Sequence, residues 1–372
     1  MSEPGLFDEV LARGGVRAAV SDPSWLRALL EVEAALARAQ AKVGLLSAED
    51  AATVAAACRP DRIDAGELAG RAAESGNPVV ALVASLREVA GGSVHMGATS
   101  QDVLDTAAML VARRALDVLL DDLAGAADAA AGLAREHRDT AMAGRTLLQQ
   151  AVPITFGLKA ARWLVALDEA ADRLGRVRSR LAVQLGGPAG TLGAFDVVEA
   201  FAAELELAVP TLPWHTDRTR IADLAGALGT AAGTIGKIAR DVTLLSQPEV
   251  GEVAEAAPGG SSSMAHKRNP VAAVSALACA SQAPGLVATL LAAMVQEHER
   301  AAGAWQAEWR PLRELLTAVG SAAAWLRQCL SGLVVDSDAL ARNLARLVSH
   351  VDAGVGASAE LVDRALAARE ER

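Results

Sequence analysis

The chain contains no tyrosine, and aromatic residues make up only 3% of its 372 positions, so the side chains that favour sheets are scarce. Its apolar fraction of 52% is carried mostly by Ala, Leu and Val. Small and unbranched apolar side chains suit close helix packing, which predicts an all-α protein. Basic runs are missing as well. A formal charge of −10 without a cationic face argues against a nucleic-acid partner and leaves any anion to be held by a local cluster of cations. The three cysteines, Cys58, Cys279 and Cys329, stand apart without metal-ligand spacing and read as buried thiols in a reducing compartment. The six histidines form no HxxxH or HExxH pair, so no metal site is expected. The start, MSEPGLFDEV, has no basic segment followed by an apolar run. No membrane association and a cytoplasmic location are therefore expected.

What is present is helical periodicity. Asp22-Pro23 opens a first amphipathic stretch with Leu26, Leu29, Leu30 and Leu36 on one face, and Gly44 ends it. Shorter pieces follow to about Val89, broken by Arg59-Pro60-Asp61 and by Glu74-Ser75-Gly76-Asn77-Pro78. From Leu104 the i, i+3, i+4, i+7 pattern of Leu104, Ala107, Ala108, Val111, Ala115, Val118 and Leu119 marks a long helix. Similar stretches run from about Pro153 to Leu185, Arg218 to Ser246 and Pro270 to Arg300, the last with a kink near Pro284. Four or more such helices imply an elongated bundle. The organisation expected is an N-terminal helical domain over 1–103, a central long-helix bundle over 104–334 and a short C-terminal helical domain over 335–372. Long alanine-rich helices leave apolar faces that one chain does not cover, which points to a homo-oligomer; a monomeric bundle is the alternative.

The polar residues cluster in a few places. GGSSSMAHKRNP at Gly259–Pro270 joins three hydroxyls, an imidazole, two cations and an amide on a glycine-hinged loop, with Asn269-Pro270 placed as a helix cap and first helical position. A plain polar connection has the same composition. VHMGATSQDVLDT at Val94–Thr106 places Thr99 as an N-cap with Asp102 three residues on, behind His95 and the hinge Gly97. A cap and a carboxylate site are compatible there, because a helix N-terminus offers free N–H groups. GRTLLQQAVPITFGLK at Gly144–Lys159 groups Arg145, Thr146, Gln149 and Gln150 ahead of an apolar helix and reads as a helix entrance or a site. Trp214–Arg218, WHTDR, reads more simply as a cap by Thr216 or Asp217.

Jointly these segments resemble the fumarase/aspartase superfamily. The signature GSSxMPxKxNP is met at Gly260, Ser261, Ser262, Met264, Lys267, Asn269 and Pro270, with Ala265 replacing its first proline. GATSQD (Gly97–Asp102), GRTLLQQA (Gly144–Ala151), GGPAGTLGAF (Gly186–Phe195), PWHTDR (Pro213–Arg218) and HKRNPV (His266–Val271) are most similar to the superfamily's cycloisomerases that lactonise carboxymuconates. The resemblance runs from about Ser21 to Arg342.

It implies a fumarase/aspartase-like fold and a cytoplasmic homotetramer whose active sites are shared between subunits. The implied reaction is lactonisation of 3-carboxy-cis,cis-muconate, in the β-ketoadipate route of aromatic breakdown, through an aci-carboxylate intermediate and without a cofactor. A lyase that releases an amine or another group from a substituted succinate to give fumarate is the alternative. By the same resemblance Ser261 handles the carbon-bound proton and His95 is the second catalytic residue. Thr99, Ser100, Gln101, Arg145, Thr146, Gln149, Ser262, Met264, His266, Lys267, Arg268 and Asn269 bind a small polycarboxylate. The chain departs from its relatives in lacking the second-block histidine, at Leu147 or Gln150, and in a short bridge over Leu344–Gly354 where they carry more helices.

Overall fold

The computed structural model describes residues 5–193, 196–348 and 354–372. Two short helices, α1 (Asp8–Leu11) and α2 (Gly15–Ala19), lead into α3 (Asp22–Lys42). They are followed by α4 (Ala48–Ala57), α5 (Ala65–Ser75) and α6 (Pro78–Ala90). The long elements begin with α7 (Ser100–Glu136), the antiparallel strands β1 (Ala141–Thr146) and β2 (Gln149–Thr155), and α8 (Phe156–Arg178). After α9 (Asp196–Leu205) come α10 (Thr219–Leu245), β3 (Val253–Glu255), α11 (Val271–Ala280), α12 (Ala283–Ala292) and α13 (Ala304–Ser331). The described chain closes with β4 (Leu333–Val335), which pairs with β3, then α14 (Ser337–Val348) and α15 (Ser358–Glu370). The expected boundary at 103/104 falls in the first turn of α7, and that at 334/335 inside β4.

Helices α7, α8, α10 and α13 pack side by side with α11 and α12. The long helices α7, α8, α10 and α13 alternate in direction, with α11 and α12 together making one crossing, so every crossing of the bundle ends at one of two poles. The first pole holds the start of α7, the starts of α10 and α13 and the region after α12. The second holds the β1–β2 hairpin, β3, β4 and the start of α11. The core between them is alanine- and leucine-rich, with Ala107, Ala112, Ala126, Ala130, Leu164, Leu228 and Leu315 fully or almost fully buried.

Three local expectations change. The Gly144–Lys159 stretch forms a hairpin before its helix: Ala141 faces Thr155 and Thr146 faces Gln149 across an antiparallel ladder. Leu147 and Leu148 make the turn with φ of 51° and 64°. A two-stranded ribbon is all edge, so Pro153 sits in β2 without losing a required donor. Thr155 then caps α8 by accepting the N–H of Leu158 at 3.1 Å. The expected single helix from Pro270 to Arg300 is two helices broken at Ser281–Gln282, because Pro284 takes a place in the first turn of a new helix, where its missing N–H costs nothing. Pro270, not Asn269, is the N-cap residue of α11.

Gly157 shows how tightly the hairpin is flanked. A Cβ there would lie 2.6 Å from the carbonyl oxygen of His137 and 2.7 Å from Cα of Arg138. Gly157→Ala should lower stability by about 1–3 kcal/mol, read as a lower urea midpoint at unchanged slope. The cysteines are unpaired; burial pushes the Cys58 thiol up to about 12 and Cys279 up to about 11. Iodoacetamide at neutral pH should therefore leave both intact in the folded protein, and fast labelling would contradict this.

Candidate active site

The first pole is organised by two carboxylates on the opening turns of α7. Thr99 caps the helix, and its own N–H donates to Asp102 Oδ2 at 2.9 Å, completing the capping box. Asp102 also accepts from Gly186 N at 3.0 Å, Gly187 N at 2.9 Å and His215 Nε2 at 2.6 Å. It thereby joins the GATSQD, GGPAG and PWHTDR segments in one buried cluster. Ala194 and Phe195, the end of the glycine-rich motif, lie outside the described residues.

One turn on, Asp105 receives Arg218 Nη1 at 2.8 Å and Trp305 Nε1 at 3.0 Å. Arg218 is shared with Glu308, 2.7 Å from Nη2, and its guanidinium lies 4.9 Å from the Trp214 ring centroid. Burial would lower the Arg218 pKa, yet Asp105 and Glu308 hold it above its ordinary value. Burial pushes the Glu308 carboxyl up, against the opposing effect of Arg218. Asp217 accepts the N–H of Thr219 at 3.1 Å, but the N-cap residue of α10 is Arg218 and not the expected Thr216 or Asp217.

His95 stands beside this cluster with φ of 62°, and its Nδ1 is 2.7 Å from Glu33 Oε1. Thr99 and Ser100 are half-buried at the α7 start. Gln101, expected to bind substrate, is 0% exposed; its amide nitrogen donates to Asp105 and to the His215 carbonyl, and its Oε1 has no hydrogen-bond partner.

The second pole carries the remaining expected residues. The signature loop is closed at its neck by Gly259 and Asn269, whose N–H and C=O groups exchange bonds of 2.9 Å in both directions. The Asn269 amide donates to Gly260 O at 2.9 Å, so it braces the loop. Ser261 is half-buried, and its Oγ accepts from Ser263 N at 3.3 Å and Met264 N at 3.2 Å. Ser262, Met264, His266, Lys267 and Arg268 are exposed around it. The amides that open α11 are not free for an anion, because Glu255 accepts from Ala272 N at 3.1 Å and Ala273 N at 2.8 Å.

On the hairpin, Thr146 and Gln149 flank the turn and are exposed, next to Leu147 at 96% exposure. Arg145, expected as a clamp for a substrate carboxylate, is paired with a carboxylate of the protein. Its guanidinium makes a two-point pair with Glu252 at 2.8 and 2.6 Å, and Glu252, 0% exposed, is also bonded by Asn343 at 2.8 Å. Gln150 donates to the Asn343 carbonyl at 3.2 Å and so ties the same hairpin to α14.

The poles lie far apart. The 27 residues of α10 alone, running from Arg218 toward Glu252, span about 40 Å at 1.5 Å per residue. Within one chain, Ser261 and Gln149 therefore share a pole with each other and not with His95, Thr99 and Ser100. Glu33, Asp105, His215 and Glu308 were not expected at this site. No spacing rule links His215 to Asp102 across 113 positions, although Asp102 itself carried the capping-box signal.

The family model described as Lyase matches residues 15–285. The chain is 47% identical to the 3-carboxy-cis,cis-muconate cycloisomerase of Bradyrhizobium diazoefficiens, covering 98% of this chain and 83% of the relative. It is 47% identical to the nitrosuccinate lyase of Streptomyces davaonensis, over 92% of this chain and 77% of that one. The crystal structure of the 3-carboxy-cis,cis-muconate lactonizing enzyme from Pseudomonas putida superposes with a TM-score of 0.86 at 40% identity, covering 99% of this chain and 88% of that chain.

Removing Arg145 should strand a buried carboxylate. Arg145→Met is expected to cost about 3–5 kcal/mol, largely recovered in the Arg145→Met/Glu252→Leu double variant. An unchanged melting temperature with a raised KM would instead return Arg145 to the substrate.

Proposed function

We propose that this chain, which belongs to the lyase family of the fumarase/aspartase superfamily, is a cycloisomerase that closes 3-carboxy-cis,cis-muconate to 4-carboxymuconolactone in the β-ketoadipate route. One substrate carboxylate adds across the conjugated double bond and a proton is delivered to the neighbouring carbon. Substrate and product are isomers, so the step needs no outside nucleophile and no redox partner. Negative charge gathers on the carboxylate next to that carbon, and preorganised donors must be aimed at it.

Ser261 is the group that gives the proton in lactonisation and takes it in the reverse elimination. The observation that carries this reading is the pair of backbone N–H groups directed at Ser261 Oγ, inside a loop whose neighbouring side chains include Lys267 and Arg268. A serine hydroxyl is a weak acid, and two N–H donors with nearby cations stabilise its alkoxide. At the other pole the α7 N-terminus, with Thr99 and Ser100, is electrically suited to a carboxylate, and His95 stands next to it. Gln149 and Thr146 present an amide and a hydroxyl for a further carboxylate.

A tricarboxylate a few ångströms across cannot bridge about 40 Å, the length of a 27-residue helix. The site is therefore completed by other copies of the chain, in a cytoplasmic homotetramer whose antiparallel neighbours bring opposite poles together. Val271, Val274, Leu291 and Val295, exposed along and just beyond α11 and α12, support such a covered face. The three unpaired cysteines fit a reducing compartment.

A second reading, elimination from a substituted succinate to fumarate, is favoured by the equal identity to the nitrosuccinate lyase. Loss of the diene ultraviolet absorbance of 3-carboxymuconate, set against release of fumarate from nitrosuccinate or a succinyl adduct, separates the two. Ser261→Ala should lower kcat by roughly 10²–10⁴-fold with helix content unchanged. Mixing inactive Ser261→Ala and His95→Gln subunits, unfolded and refolded together, should restore activity in hybrid oligomers. Mixed assemblies as inactive as their parents would rule out a site shared between subunits.

A further inference from the structure

The geometry points to Glu33 as a positioning residue that fixes the ring of His95 for the substrate, an inference that rests on His95 belonging to the site. Helix α3 aims two buried polar side chains at the turn before α7. Glu33 and Gln40 are seven residues apart, hence on one face of the helix. Glu33 Oε1 meets His95 Nδ1 at 2.7 Å, and Gln40 Nε2 donates to the Met96 carbonyl at 2.6 Å. From α6, Arg87 donates to the Val94 carbonyl at 3.3 Å. Three successive residues of the turn are thus each gripped from a different position in the surrounding helices.

The grip opposes a local cost. His95 adopts φ of 62°, a left-handed conformation that disfavours a residue with a Cβ by roughly 1–2 kcal/mol. Without tethers the turn would relax and carry the imidazole with it. Glu33 is an expensive residue for this place: its side chain is 0% exposed, among Leu29, Leu30 and Leu36 of the same helix. A carboxylate is taken out of water only against compensation, and its Oε2 has no hydrogen-bond partner. The imidazole is therefore what the carboxylate is there to hold. Accepting from Nδ1–H sets the tautomer and prevents a ring flip, which leaves Nε2 as the nitrogen available to a substrate carboxylate at the α7 start.

A double-mutant cycle tests this. Wild type, Glu33→Gln, His95→Gln and the double variant are assayed on whichever of the two substrates the wild type turns over, with circular dichroism to check folding. Each single change should lower kcat/KM by roughly 10²–10⁴-fold, the scale of a positioned acid–base group. In the His95→Gln background, Glu33→Gln should add less than about twofold, because residues that act as one unit are not additive. Glu33→Asp, which keeps the carboxylate, should recover part of the loss, and it replaces Glu33→Gln in the cycle if the glutamine variant does not fold. Losses that multiply in the double variant, or a fully active Glu33→Gln beside an impaired His95→Gln, overturn the positioning role and leave His95 in the site. A fully active His95→Gln removes His95 from the site and the inference with it.

Discussion

Two carboxylates buried three residues apart on the opening turns of α7 govern the first pole. Asp102 collects N–H groups from Thr99, Gly186, Gly187 and His215, and Asp105 collects Gln101, Arg218 and Trp305. Charges held out of water are tolerated only when their hydrogen-bonding capacity is met in good geometry. These partners come from four separate stretches of the chain, so meeting that requirement leaves the glycine-rich loop, the WHTDR segment and the start of α13 one arrangement. Helix polarity reinforces it, since the N-terminus of α7 favours negative charge nearby.

The bundle then acts as a spacer. Rigid helices of this length keep the two poles apart, and in the proposed mechanism neither pole alone has the parts of a reaction centre. One offers a helix N-terminus, hydroxyls and an oriented imidazole; the other offers a serine turn with cations and a hairpin with an amide. Placing the chemistry at helix ends and loops suits a scaffold whose middle is packed with alanine and leucine. It also makes catalysis depend on assembly in this reading, because symmetry rather than chain folding brings the halves together.

The compact C-terminal region keeps a structural role at the second pole. Asn343 on α14 bonds both Glu252 and the Val250 carbonyl, and receives the Gln150 amide on its own carbonyl. With Arg145 on Glu252, this brace sets the hairpin against β3, the strand whose Glu255 fills the amides at the start of α11. The cation that looked available for a ligand is used to neutralise a buried acid, and the anion site that looked open is occupied from within. What remains free on the signature loop is Ser261, the exposed side chains from Ser262 to Arg268, and little else.

The sequence by itself determined the helical class, the long amphipathic elements, the Thr99–Asp102 cap, the glycine-hinged serine loop and the family, because periodicity, capping and contiguous motifs are local properties of a chain. It misjudged the hairpin before α8, where ladder pairing outweighed the look of a helix entrance, and the continuity of α11 with α12, where Pro284 begins a helix instead of bending one. Only the tertiary structure decided that Arg145 and Gln101 are bound inward, that Glu33 holds His95, and that His215 meets Asp102. The physical reason is the same in each case. Which partner satisfies a buried charge depends on what packing brings within hydrogen-bond distance, and no spacing along the chain encodes a contact between residues a hundred positions apart.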